Sequence, residues 1–203
     1  MARPRLVSDE AILNATRDCV SEHGTSVSTT VIAEAVGVSQ ATLFKRFGTK
    51  EDLIVAALLP SPDMAIGWMN RFEQGPEPGD LQPQFKELVF SLVHFFEHML
   101  PRLAMLKSAC LMEQAMKRMA AFGEDAPPIR GRRVVAGWLR RAQEGGQLGA
   151  CEPNLAAVAI IGAAQGMASR RHMLNEQLDA SVDEYASQLA DLIWAGLAPK
   201  EGA

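Results

Sequence analysis

No run of apolar residues in this 203-residue chain approaches the roughly 18–20 that a membrane-spanning helix needs. The opening MARPRLVSDE has no apolar core of the kind a secretory signal carries. Both absences point to a cytoplasmic protein without a membrane partner. Cysteine is scarce: Cys19, Cys110 and Cys151 are odd in number, far apart, and form neither a CxxC pair nor a zinc-finger spacing. That excludes a disulfide scaffold and fits a reduced compartment, with each thiol expected as a small buried apolar group. Alternating strand patterns are missing, as are G-x-S-x-G, a P-loop and a dinucleotide glycine fingerprint. The chain therefore reads as all-α, with no catalytic residues, no cofactor and no enzymatic role. A strong basic excess is also lacking. Of the net −4, residues 1 to 50 hold six basic against five acidic side chains, a balance of +1 that leaves −5 for the rest. Charge permits nucleic-acid binding at the N-terminal end without demanding it.

What is present concentrates in residues 28 to 53, STTVIAEAVGVSQATLFKRFGTKEDL. Ser28 can cap a short helix from Thr29 to Val36, with Val31, Ile32 and Val36 spaced to face a core. Gly37 ends it, Val38 plugs the turn, and Ser39 can cap a second helix from Gln40 to Phe47. Along that second helix Leu43 and Phe47 would pack inward, leaving Gln40, Ala41, Thr42, Lys45 and Arg46 on the other faces. Two short helices about a tight turn are the layout that lays a helix in a major groove. The outward residues have the chemistry for it, since lysine and arginine reach guanine edges or phosphate, glutamine pairs with adenine, and small methyls meet thymine.

The ordered combination resembles the DNA-binding end of the TetR family of bacterial regulators. The residues that carry the likeness are Ser28, Ile32-Ala33, Gly37-Val38-Ser39, Ala41, Phe44, Phe47 and Thr49-Lys50-Glu51-Asp52-Leu53. The resemblance covers about fifty residues, and it departs from the family at two places: Phe44 replaces the usual tyrosine, and Arg46 a tyrosine or histidine. It implies that Ser28, Thr29, Ser39, Gln40, Ala41, Thr42, Phe44, Lys45, Arg46 and Lys50 meet double-stranded DNA. It further implies a transcriptional repressor, a homodimer on a palindromic operator, and release by a small-molecule effector.

Upstream, Ser8-Asp9-Glu10 opens a support helix that runs through Ile12, Ala15 and Cys19 until His23-Gly24. Arg3 and Arg5 precede it in a short polar terminus. Downstream, Thr49 to Asp52 is a capping-box signature for a helix that continues toward Pro60. Further helices are predicted at 63–73, 84–99, 101–122, 128–144, 154–174 and 181–197, separated by GPEPGD, Pro101, GEDAPP and GGQLGACEP. The division expected is a helix-turn-helix domain over 1–50 and a helical ligand-binding and dimerisation domain over 51–203.

Three further patterns stand out in that second part. Ala159, Gly162, Ala163 and Gly166 form a small-residue stripe, and Leu189 and Ile193 belong to an apolar stripe on the last helix. Such faces dock either on a second copy or within the chain, and the resemblance favours the homodimer. Large soft side chains, Trp68, Phe72, Phe95, Met105, Met112 and Trp138 with His94 beside them, suit a core or the walls of a pocket for a hydrophobic or aromatic effector. Finally, His94-Phe95-Phe96-Glu97-His98 matches H-x-x-E-H. This is the alternative reading, a metal-binding helical sensor or metallopeptidase built on His94, Glu97 and His98. It lacks an evident third ligand, and the preferred reading assigns no metal.

Overall fold

Hydroxyl side chains open each of the first four helices in the computed structural model, which describes residues 7–59 and 66–199. Ser8 accepts from the Ala11 N–H ahead of α1 (Asp9–His23), Ser28 from Val31 ahead of α2 (Thr29–Val36), and Ser39 from Thr42 ahead of α3 (Gln40–Phe47). Thr49 and Asp52 exchange both bonds of a capping box before α4 (Lys50–Leu58). Each cap satisfies an orphan backbone donor and contributes about 1 kcal/mol. Glycines close the first three helices. The sharpest stop is Gly37, left-handed at φ 76° and ψ 34°, where the Gly37 and Val38 N–H groups donate to the Glu34 and Ala33 carbonyls. That is a Schellman ending, and only glycine takes it without steric cost. Arg3, Arg5 and Pro60 lie outside the described residues.

The chain divides into two compact units, Met1–Ser61 with Arg102–Ala121, and Pro62–Pro101 with Phe122–Ala203. In the first, α1 packs on α2 and α4, α3 on α4, and α7 (Met112–Ala120) on α4. Ile12, Val20, Ile32 and Leu43 form its centre, and α4 buries every residue from Leu53 to Leu58. Val31 does not join them. It is 38% exposed, while Ile32 and Ala33 are buried. The buried strip of this two-turn helix lies between Ile32 and Ala33, and Val31, about 100° from Ile32 on the side away from Ala33, falls outside it.

The second unit holds α5 (Ile66–Phe72), α6 (Leu81–Ser108) as far as Pro101, α8 (Pro127–Glu144), α9 (Pro153–Met173) and α10 (Val182–Leu197). A 3-10 turn at Gly123–Asp125 precedes α8. Its core is centred on Phe85, Leu88, Leu92, Val135, Trp138 and Leu139. Phe85 sits between two indoles, 6.3 Å from Trp138 and 5.6 Å from Trp194 by ring centroids. Gly131 lets α5 approach α8, since a Cβ there would lie 3.3 Å from the Trp68 ring. Among the described residues no strand occurs. The fold is all-helical, as the punctuated helical periodicity predicts.

One expected boundary is displaced. Pro101 does not separate two helices but lies inside α6, which runs unbroken from Leu81 to Ser108. Proline removes the N–H that would reach Glu97 and costs about 3 kcal/mol in a helix interior. Here the helix persists because Met99, Leu100 and Leu106 are buried around it, so packing overrides the local preference. The real break falls at Cys110, which has no proline or glycine signal and stands at φ 59°. The Cys110 and Leu111 N–H groups donate back to Lys107 and Leu106, a Schellman ending made by a non-glycine residue.

Candidate nucleic-acid interface

Because α2 and α3 are capped on one side and glycine-stopped on the other, the turn between them has little freedom, and side chains then fix the angle. The Thr29 hydroxyl donates to the Gln40 carbonyl oxygen at 2.9 Å, and the Gln40 amide nitrogen donates to the Thr30 hydroxyl at 2.9 Å. The start of α3 is thereby clamped to the start of α2. At the other end Arg46 donates to the Val7 carbonyl at 2.6 Å and pairs with the Asp9 carboxylate. Lys50 donates to the Ser26 carbonyl at 3.1 Å, which gives its charge a partner at a helix start where the dipole disfavours it. Ser39 and Thr42 share a hydroxyl hydrogen bond of 2.9 Å.

Ser28, Ser39, Gln40, Ala41, Phe44, Lys45 and Arg46 are exposed, and Thr29, Thr42 and Lys50 half-exposed. Phe44 shows 42% of its surface, a large apolar group where water would ordinarily be met by polar atoms. Sequence reasoning places the exposed groups on one short helix pair. It misses Val7, Asp9, Ser26 and Thr30, which hold them. Only Thr30 carries a visible signal, a hydroxyl one position into α2; two of the others act through backbone carbonyls, which no side-chain pattern reveals.

Other candidate residues are distributed differently from the interface. Among the proposed effector contacts, Trp68 and Phe95 meet with ring centroids 6.1 Å apart. Phe72 and Trp138 are core residues of the second unit, His94 is half-exposed there, and Met105 and Met112 belong to the first unit. The H-x-x-E-H motif is not assembled as a ligand set. His94 Nε2 faces the Asp183 carboxylate at 2.9 Å and His98 Nδ1 meets the His94 carbonyl at 2.8 Å. Glu97 accepts from Arg171 at 2.5 Å and meets His172 at 2.9 Å through one oxygen. Among the described residues no group of three His, Cys, Asp or Glu side chains could hold a metal. The periodic spacing is real, but each side chain is used by a different helix.

The α9 stripe splits into two halves. Ala163 and Gly166 face α10, where the Tyr185 hydroxyl donates to the Ala163 carbonyl at 2.6 Å and a Cβ on Gly166 would lie 3.4 Å from it. Burial raises the pKa of that phenol. Leu189 is buried in the same chain's core and Ile193 packs beside it. Ala159 and Gly162 remain exposed, flanked by Leu155 at 68% and Val158 at 53% exposure, with Leu192 at 73% on α10. Leu155, Val158, Ala159 and Gly162 recur at helical spacing, a signal the sequence carries in full. The thiols also separate: Cys19 is buried and its pKa raised by burial, whereas Cys110 is exposed and Cys151 intermediate. Cys110 is thus not the buried apolar group expected of it, because it occupies the surface break after α6.

No helix among the described residues is long and apolar enough to cross a membrane. Residues 12–57 match the family model described as bacterial regulatory proteins, tetR family. Among solved structures, the chain is similar to a protein described as belonging to the TetR-family transcriptional regulators of Mesorhizobium loti MAFF303099. The TM-score is 0.72 at 18% identity, covering 94% of this chain and 96% of that one. SmeT, described as the repressor of the Stenotrophomonas maltophilia multidrug efflux pump SmeDEF, matches at TM-score 0.63 and 21% identity over 97% and 93% of the two chains; it is also known as a triclosan complex. The Bacillus subtilis transcriptional regulator FadR in complex with stearoyl-CoA matches at 0.59 and 16% over 93% and 99%. At these identities the structures speak to the fold and the matched head to its kind. Residues 12–57 match the model of the tetR family of bacterial regulatory proteins, and the chain as a whole shares the all-helical fold of these solved structures.

Proposed function

We propose that this protein is a ligand-responsive repressor that binds a palindromic operator as a homodimer and is released by a small hydrophobic or aromatic effector. The observation that carries the reading is α3. It is capped by Ser39, stopped at Gly48, pinned to α2 through Gln40 and left with Ala41, Phe44 and Lys45 exposed. A short helix held rigidly with small, aromatic and cationic groups outward meets the requirements of major-groove readout. Residues 1–50 serve as the DNA-binding part and 51–203 as the ligand-binding and dimerisation part. The exposed apolar residues of α9, with Leu192 exposed on α10, support self-association, because large apolar groups left in water favour a partner. Two such heads would address half-sites one helical turn apart, about 34–36 Å.

Triclosan on SmeT is an apolar aromatic ligand and stearoyl-CoA on FadR carries a long apolar acyl chain, and Trp68 with Phe95 offers an aromatic wall suited to such groups. An effector releases DNA only by its differential affinity for the two arrangements, typically about 1–3 kcal/mol per coupled site. Incubation of the purified protein with fragmented genomic DNA at moderate salt, followed by sequencing of bound fragments, tests the reading. Enrichment of one or a few palindromes is expected, since nonspecific binding is suppressed at that salt. Recovery of unselected fragments alone would remove the regulator reading.

A further inference from the structure

We infer that the polar side chains of α3 have separate roles, in which Lys45 reads bases while Gln40 and Arg46 are positioning residues that hold the helix at its two ends. This rests on the DNA-binding reading of α3 and refines it. At about 100° per residue, the inward residues Leu43 and Phe47 put Lys45 on the opposite side of the helix, with Ala41 and Thr42 flanking it. Gln40 falls nearest the inward face, and Arg46 and Phe44 lie at about equal angles on its two shoulders. The contacts agree with this placement. Both ends of the Gln40 amide are engaged by Thr29 and Thr30. The Arg46 fork is occupied by the Val7 carbonyl and the Asp9 carboxylate at the start of α1.

Lys45, in contrast, is exposed, stands at the centre of the outward face, and makes no side-chain hydrogen bond or ion pair among the described residues. A guanidinium whose two arms already meet a carbonyl and a carboxylate would have to break both to read guanine bidentately, whereas the Lys45 ammonium gives up only water. Ala41 and Phe44, apolar and exposed on the same side, suit contact with thymine methyl groups. Arg46 thus acts through α1: it fixes the end of the reading helix against the segment that precedes Asp9.

The experiment is selection from a randomised duplex library with the full-length protein and its K45A, R46A, R46K and D9N variants and the R46A/D9N double variant. Each variant is first checked for native helicity by circular dichroism, and titrations follow on the wild-type site and on single-base changes. Lys45→Ala should lose about ten-fold or more of its discrimination at one position of each half-site. Arg46→Ala and Asp9→Asn should weaken binding to every site by a common factor and leave the preferred sequence intact. Their double variant should be no weaker than the worse single one, and Arg46→Lys should recover most of the loss. A changed base preference in Arg46→Ala but not in Asp9→Asn, or an unchanged one in Lys45→Ala, would overturn the division. If the wild-type protein selects no sequence, the regulator reading fails and takes this division with it, an outcome distinct from either of those.

Discussion

The α2–α3 pair and the α6–α7 junction both end a helix in a left-handed residue, yet they are specified in different ways. At Gly37 the ending is written locally: Ser28 and Ser39 cap the helices on either side, and glycine occupies the φ 76° position. At Cys110 the same backbone geometry, φ 59°, is imposed on a residue with a Cβ, and nine positions earlier a proline fails to stop the helix. Local chemistry decides the first and packing the second. The difference matches the setting of each, because a two-turn helix must hold its angle with few tertiary contacts, whereas a long core helix can draw on burial along its length.

The largest effect should come from removing packing where packing decides. Trp138→Ala deletes a side chain 1% exposed beside Phe85, and urea unfolding should show a loss of about 3–5 kcal/mol. A loss below about 1 kcal/mol would mean that the second unit is not organised around this indole. Next comes a paired test of the two helix ends. Gly37→Ala meets nothing within 4 Å, so its cost is purely conformational and should be about 1–2 kcal/mol. Cys110→Gly should go the other way or be neutral, as relief of the left-handed strain offsets the added freedom of the unfolded chain. Equal destabilisation by both substitutions in thermal melts would erase the contrast between a locally written and an imposed ending.

The smallest effect tests whether local signals also operate inside the packed unit. Ser181 and Glu184 form a capping box ahead of α10, and the backbone and side-chain hydrogen bonds from Ser181 hold the Glu184 carboxyl below its usual range. A depressed acid stabilises the fold above its unfolded pKa and ceases to do so as the pH falls through the folded value. Glu184→Gln should therefore lower stability slightly in the neutral region and converge with the wild type as the pH falls through the folded value. A wild-type and variant curve that superimpose at neutral pH as well as in acid would show that this fully exposed cap contributes nothing measurable.

These contrasts explain what is legible in the sequence. The head is legible almost to the residue, since Ser8, Ser28, Ser39, Thr49 and Gly37 each carry a backbone requirement in their side chain or lack of one. Its inward face is less so: Val31 and Ile32 look alike in sequence, and only the direction of the packing partner separates them. In the rest of the chain the helices themselves are visible as periodicity, but Pro101 misleads and Cys110 is silent. The H-x-x-E-H spacing places its residues on one helix as expected. Where their side chains turn, toward Asp183, Arg171 and His172, depends on helices more than seventy residues away in sequence, beyond the reach of any local pattern.

The division of the chain has a consequence for its synthesis. The first unit is assembled from two separated segments, Met1–Ser61 and Arg102–Ala121, and α7, in the later one, packs on α4. When the ribosome has made only the earlier segment, the apolar residues from Leu53 to Leu59 still await one of their covers. They must wait for about sixty more residues, several seconds at about 5–20 residues per second. During that interval the face of α4 that meets α7 lacks this partner, and a fragment ending before Arg102 would leave it so.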